Sequence, residues 1–156
     1  MKKIIFLLFA ISICFKGYSQ INPDHIEIIR DNYGVPHIYA PTDAEVAYGF
    51  AWAQAEDHFK LIQEGYLAGN GLLGKLIGLK GAGADFLTQL IQSEETVDKY
   101  YNTLDKKFIA LAEAFAEGLN AYAKKYPEQI LEKKLYSFFL LLVFVLKGIL
   151  KLTQIA

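Results

Sequence analysis

The sequence is short of most residue types from which small domains build special chemistry. It has one cysteine, Cys14, so it holds no internal disulfide and no cysteine-rich zinc site. Its charge is not of one sign: 16 basic side chains face 17 acidic ones, a net charge of −1, whereas a nucleic-acid binder carries a basic excess. Four prolines and 12 glycines in 156 residues exclude a collagen-like chain. No uncharged run reaches the roughly 20 residues that a membrane-spanning helix needs. The two longest, residues 4–15 and 135–146, have 12 residues each. No internal repeat is present.

What is there is apolar: 53% of the chain is hydrophobic and 14% aromatic. At roughly 100–200 residues per domain this is one domain at most, with enough chain to bury a core. The two ends differ from the middle. Lys2 and Lys3 precede the uncharged run 4–15, and Gly17-Tyr18-Ser19 supplies a small-x-small pattern. That is the layout of a signal peptide over residues 1–19, cut after Ser19, which predicts an exported protein, periplasmic or secreted. Bulky Ile13 and Phe15 around Cys14 argue against a lipoprotein signal. The mature chain then has no cysteine. At the other end, residues 135–156 contain no acid at all.

Between these ends the patterning predicts an α+β arrangement. Residues 26–31 partly alternate apolar and polar, Asn32-Tyr33-Gly34-Val35-Pro36 is turn chemistry, and His37-Ile38-Tyr39-Ala40 is a return strand: a hairpin over 26–40. Thr42 and Glu45 have the spacing of a helix-capping pair, and a helix is expected from 43 to about 66. Ala44, Tyr48, Trp52, Ala55, Phe59, Ile62 and Tyr66 share one face, with Val46, Phe50, Ala53, Asp57 and Leu61 nearly opposite. A helix apolar on two sides is expected between layers. The glycine-rich stretch 65–85 reads as an irregular packed connection, and 85–101 as a short helix. Thr103 is the expected cap of a further helix carrying Phe108, Leu111, Phe115, Leu119, Tyr122 and Tyr126 at steps of three or four, stopped by Pro127.

Several motifs are weaker than they look. Gly69-Asn70-Gly71-Leu72-Leu73-Gly74 has the form of a dinucleotide fingerprint, with Glu94 downstream, but a long helix rather than a strand precedes it. Gly69 to Lys75 imitates a phosphate loop, yet Leu76 stands where serine or threonine is needed. His25, His37 and His58 lack metal-binding spacing, and Glu56-Asp57-His58 are consecutive helical residues expected to point apart, so no metal site is expected. Ser93 and Ser137 lack the context of a hydrolase nucleophile. Asp57 on an apolar stripe predicts a buried carboxylate in need of a partner, and Arg30 is the chain's sole arginine. An Asp57–Arg30 structural pair is expected.

Residues 29–40, Ile-Arg-Asp-Asn-Tyr-Gly-Val-Pro-His-Ile-Tyr-Ala, with 48–57, Tyr-Gly-Phe-Ala-Trp-Ala-Gln-Ala-Glu-Asp, resemble the start of the penicillin acylase family. These are N-terminal-nucleophile amidases that include acyl-homoserine lactone acylases. Residues 111–122 resemble a further part of the same α chain. The motif residues are Arg30, Asp31, Gly34, Pro36, His37, Gly49, Gln54 and Asp57, which are structural; none is catalytic. The resemblance implies an αββα sandwich for the whole enzyme, of which residues 20–134 supply a hairpin and mostly helices. It implies a precursor cut into α and β chains, a β-chain serine whose own amino group is the base, and hydrolysis of linear acyl amides such as penicillins or acyl-homoserine lactones. It also implies calcium, held mostly by the β chain, with none expected in these residues. The partners implied are the β chain and a small acyl-amide substrate, not nucleic acid.

No Gly-Ser junction occurs in residues 20–156. The chain is therefore expected to be an inactive amino-terminal fragment. The tail 135–156 is expected to depart from the family through a frameshift or truncation near Tyr136. The alternative is an exported helical binding or pseudo-enzyme module, membrane-associated through 135–150.

Overall fold

In the computed structural model, residues 21–91, 96 and 99–131 are described, and a two-stranded ribbon lies on the first half of a long helix. The signal peptide, Ser93, Glu94, Ser137 and the apolar tail fall outside the described residues. Strands β1 (Glu27–Arg30) and β2 (Pro36–Tyr39) pair antiparallel, with Ile28 opposite Ile38 and Arg30 opposite Pro36. Gly34 turns the chain at φ +82°, a conformation with no side-chain penalty for glycine. Pro36 lacks an N–H and stands first in its strand, where a proline is tolerated.

Helix α1 (Asp43–Gly69) starts at Thr42. Its hydroxyl accepts from the Glu45 N–H at 3.2 Å and donates to the Glu45 carboxylate at 2.8 Å. The helix is kinked at His58 (φ −142°, ψ 33°). Two short helices, α2 (Leu73–Ile77) and α3 (Leu79–Leu90), lead away from it, and α4 (Lys106–Lys125) returns along it. Contacts advance together along α1 and α4: Asp43 with Lys107, Phe50 with Phe115, Trp52 with Tyr122, Gln63 with Gln129 just beyond α4. The two helices therefore run in the same direction.

Small residues bring them together. Ala51, Ala55, Ala116 and Ala123 lie in the core with Phe59, Tyr66, Leu67, Leu119 and Tyr122. A Cβ on Gly118 would strike the backbone carbonyl of Tyr48, so only glycine fits there. Burial pushes the Tyr66 hydroxyl pKa up to about 12. A smaller cluster of Ile21, Tyr48 and Ala114 closes the end nearest the hairpin.

Four expectations change. The second stripe of helix α1 is covered only in part: Ala53 is buried, whereas Val46, Phe50 and Leu61 are exposed. The glycine-rich connection is helical rather than irregular, because its glycines are spaced among leucines that α1 packs against. The helix expected over 85–101 begins at Leu79 and runs to Leu90. The cap of α4 is Asp105, whose carboxylate accepts from the N–H groups of Lys107 and Phe108, while the Thr103 hydroxyl donates to the Tyr100 carbonyl in a turn before it.

Candidate functional site

The motif residues gather where the hairpin meets α1. Arg30 ends β1 and reaches down onto the helix. Its NH1 donates to the Gly34 carbonyl (2.9 Å) and to Asp57 Oδ2 (3.2 Å). Its NH2 lies 3.0 Å from Asp57 Oδ1 and 3.1 Å from Glu56 Oε2, and donates at 3.4 Å to the Ala53 carbonyl. The guanidinium thus takes Asp57 two-fold and Glu56 once, a fork geometry that only arginine offers. The Glu56 and Asp57 carboxylates hold its pKa above the usual value.

The expected Arg30–Asp57 pair is present, but it is not buried: the Asp57 side chain is 43% exposed. Glu56 and Asp57 were expected to point apart, yet both meet Arg30. The Ala53 carbonyl taken by Arg30 is the acceptor that the Asp57 N–H uses in an unbroken helix. The kink follows at the next residue, His58. Glu56 is locked from the other side by the Trp52 indole N–H, which donates to Oε1 at 2.9 Å.

Asp31 holds the turn. Its Oδ1 accepts from the N–H groups of Tyr33 (2.8 Å) and Val35 (3.0 Å), and His37 lies 3.5 Å from its Oδ2. The Val35 and Tyr33 N–H groups keep the Asp31 carboxyl below the ordinary value of 3.8. A carboxylate whose pKa is depressed on folding stabilises the fold above its unfolded pKa and ceases to do so as pH falls through the folded one. Protection of the Val35 and Tyr33 amides against hydrogen exchange is therefore expected to fall as the pH drops below about 4. In Asp31→Asn, which keeps an acceptor but cannot titrate, that pH dependence is expected to vanish.

Gly49 lies beneath the hairpin: a Cβ there would come within 2.8 Å of Ile26 and of Ile38. Gln54 stands exposed on α1, outside the Arg30 cluster. Pro23, Ile26, Ile28, Arg30, Tyr48, Gly49, Trp52 and Glu56 line an open cavity of about 570 Å³ between hairpin and helix. The charged groups on its rim, Arg30 and Glu56, are bonded to each other, and Glu56 is bonded also to Trp52. Nothing in this arrangement pairs a nucleophile with a base. Among the described residues no group of three or more histidine, cysteine, aspartate or glutamate side chains converges.

Sequence reasoning missed Glu56, Gln63 and Asp85. Gln63 is fully buried and bonds the backbone on both sides: its amide donates to the Gln129 carbonyl (3.0 Å) and accepts from the Leu131 N–H (2.9 Å). Asp85 accepts from the Leu73 and Gly74 N–H groups at 2.7 Å each. It thereby fills with its own carboxylate the place where the glycine motif would have needed a phosphate. The Trp52–Glu56 bond was visible as an i, i+4 pair.

The hairpin-on-helix arrangement is a known fold. It superposes on thermostable penicillin G acylase from Alcaligenes faecalis with a TM-score of 0.65 at 18% identity, covering 84% of this chain and 75% of that one. In sequence, the chain is 25% identical over 123 residues to penicillin G acylase of Escherichia coli, which covers 77% of this chain and 14% of the relative. It is 26% identical over 102 residues to the acyl-homoserine lactone acylase PvdQ of Pseudomonas syringae pv. syringae, covering 60% of this chain and 13% of that protein. The family profile described as penicillin amidase matches residues 25–147, and the chain belongs to that family. The match continues past residue 134 into the apolar tail. The chain spans about one seventh of the length of these curated relatives.

Proposed function

We propose that this chain is the amino-terminal part of an exported amidase, acting on linear acyl amides and releasing a carboxylic acid and an amine. The observation that carries this reading is the penicillin amidase match over residues 25–147. The relatives named above, a penicillin acylase and an acyl-homoserine lactone acylase, supply the substrate class. The part played by these residues is structural. Arg30, Glu56 and Asp57 fasten the hairpin to α1, and the two strands leave both outer edges unpaired among the described residues. A two-stranded ribbon is marginal by itself, and further strands of an αββα sandwich would complete it.

In this reading the nucleophile and its oxyanion donors belong to the β chain of the same precursor, and so does most of any calcium site. Residues 1–19 direct export. The test is to translate the chain together with the coding sequence that follows it, in whichever frame continues the family. Hydrolysis of an acyl 4-nitroanilide, a new amino-terminal serine and a mature terminus after Ser19 are expected. A longer polypeptide that folds and leaves acyl amides intact overturns the reading.

A further inference from the structure

Helix α3 carries an apolar stripe that nothing among the described residues covers. Leu79, Phe86 and Leu90 recur at steps of seven and four, which is one helical face, and Leu87 stands beside them. Leu79 is 91% exposed, and the other three are also exposed. The stripe cannot turn inward, because the opposite side of α3 is fastened. Asp85 is bonded to the Leu73 and Gly74 N–H groups, and the Thr88 hydroxyl donates to the Ala68 carbonyl at 2.9 Å.

We propose that this stripe is the docking face for residues 135–146 of the same chain. The exit of the described polypeptide points to it. The Leu131 N–H is held by Gln63, and Ile130 packs on the same core cluster as Leu72, Leu73 and Leu76, the segment leading into α3. Ala68, to which α3 is bonded, lies five residues beyond Gln63, or about 8 Å along the helix axis. Residues 132–134 span up to about 10 Å, which brings the apolar run to the Ala68 side of α3, and its 12 residues, up to about 40 Å of chain, are long enough to pass around the helix to the stripe.

Composition and size agree. Residues 135–146 carry no charge, and neither do the four stripe side chains. From Leu79 to Leu90 is about 17 Å at 1.5 Å per residue, a length that 12 residues are enough to cover. The family match runs to residue 147, so the apolar run belongs with the unit that contains α3.

The test uses the full chain with Cys14→Ser and Leu90→Cys, which leaves one thiol, on the stripe. Its reaction with a small maleimide is compared with that of the same chain carrying Phe139→Asp and Leu142→Asp, with helix content followed by circular dichroism. The native tail is expected to slow the reaction by at least about tenfold at every protein concentration, and the two acids to release it. Equal rates in the two folded chains overturn the proposal. So does protection that grows with protein concentration, which marks a second copy, or protection that appears only with phosphatidylglycerol vesicles, which marks a lipid surface. If the acidic variant does not fold, Leu90→Cys combined with cysteine at each of residues 138–142 in turn decides. A disulfide within one molecule supports the proposal, and cross-links only between molecules, or none, overturn it.

Discussion

Gly118→Val is expected to cost the fold about 3 kcal/mol, the upper part of the range for overpacking a tight contact. The reason is the direct approach of α4 to α1. A Cβ at residue 118 would overlap the Tyr48 carbonyl and lie 2.9 Å from the Ala51 Cβ. The carbonyl is backbone inside a helix and cannot swing aside as a side-chain end can. The helices must separate, and the Trp52–Tyr122 and Phe59–Tyr122 ring contacts at 5.4 and 5.0 Å open with them. Urea unfolding followed by tryptophan fluorescence checks this, because Trp52 is the chain's one tryptophan and sits at that contact. Gly83→Val is the control: nothing lies within 4 Å of its Cβ. It is expected to change the midpoint far less.

Gln63→Leu is expected to destabilise by about 2–3 kcal/mol although it keeps the volume and adds apolar character. The side-chain amide of Gln63 pairs with the backbone of residues 129 and 131 much as a neighbouring strand does, and it donates also to the Phe59 carbonyl at 3.2 Å. Leucine leaves the Leu131 N–H and the Gln129 carbonyl, both part-buried, without these partners. The cost lies in those stranded groups rather than in lost contact area. Hydrogen exchange separates this from general loosening. The Leu131 amide is expected to lose its protection in Gln63→Leu, while the amides of Ala51 and Ala55 fall only by the global change. Gln63→Glu is expected to keep the acceptor for Leu131 and lose the donor to Gln129.

The parts of the molecule legible in the sequence are those set by local chemistry. The hairpin followed from alternation and the Asn32–Pro36 turn, the start of α1 from Thr42 and Glu45, and α4 from its three-and-four spacing. The Arg30–Asp57 pair was legible because the chain has one arginine and one carboxylate on an apolar stripe. The rest depends on tertiary geometry. Spacing placed Glu56 and Asp57 on different sides of an ideal helix. It did not contain the kink at His58, where Arg30 takes a helical carbonyl and both acids close on it. Spacing also showed two apolar stripes on α1 without showing that the second is covered only in part, with Ala53 buried and Val46 and Leu61 exposed. Thr103 and Asp105 are both good caps; which one serves depends on where α4 docks, and that is fixed by Gly118 and Tyr122 far along the helix. Gln63 gave no local signal, since a glutamine among apolar neighbours looks the same whether it faces water or the backbone of a distant segment.

In the proposed function these residues frame an amidase without carrying its chemistry. The most direct measurement is release of 4-nitroaniline from an acyl 4-nitroanilide by the purified 156-residue chain, folded as judged by circular dichroism. No release above the buffer rate is predicted at any chain concentration. Release that rises in proportion to the chain, and disappears when the chain is unfolded in urea, would contradict it.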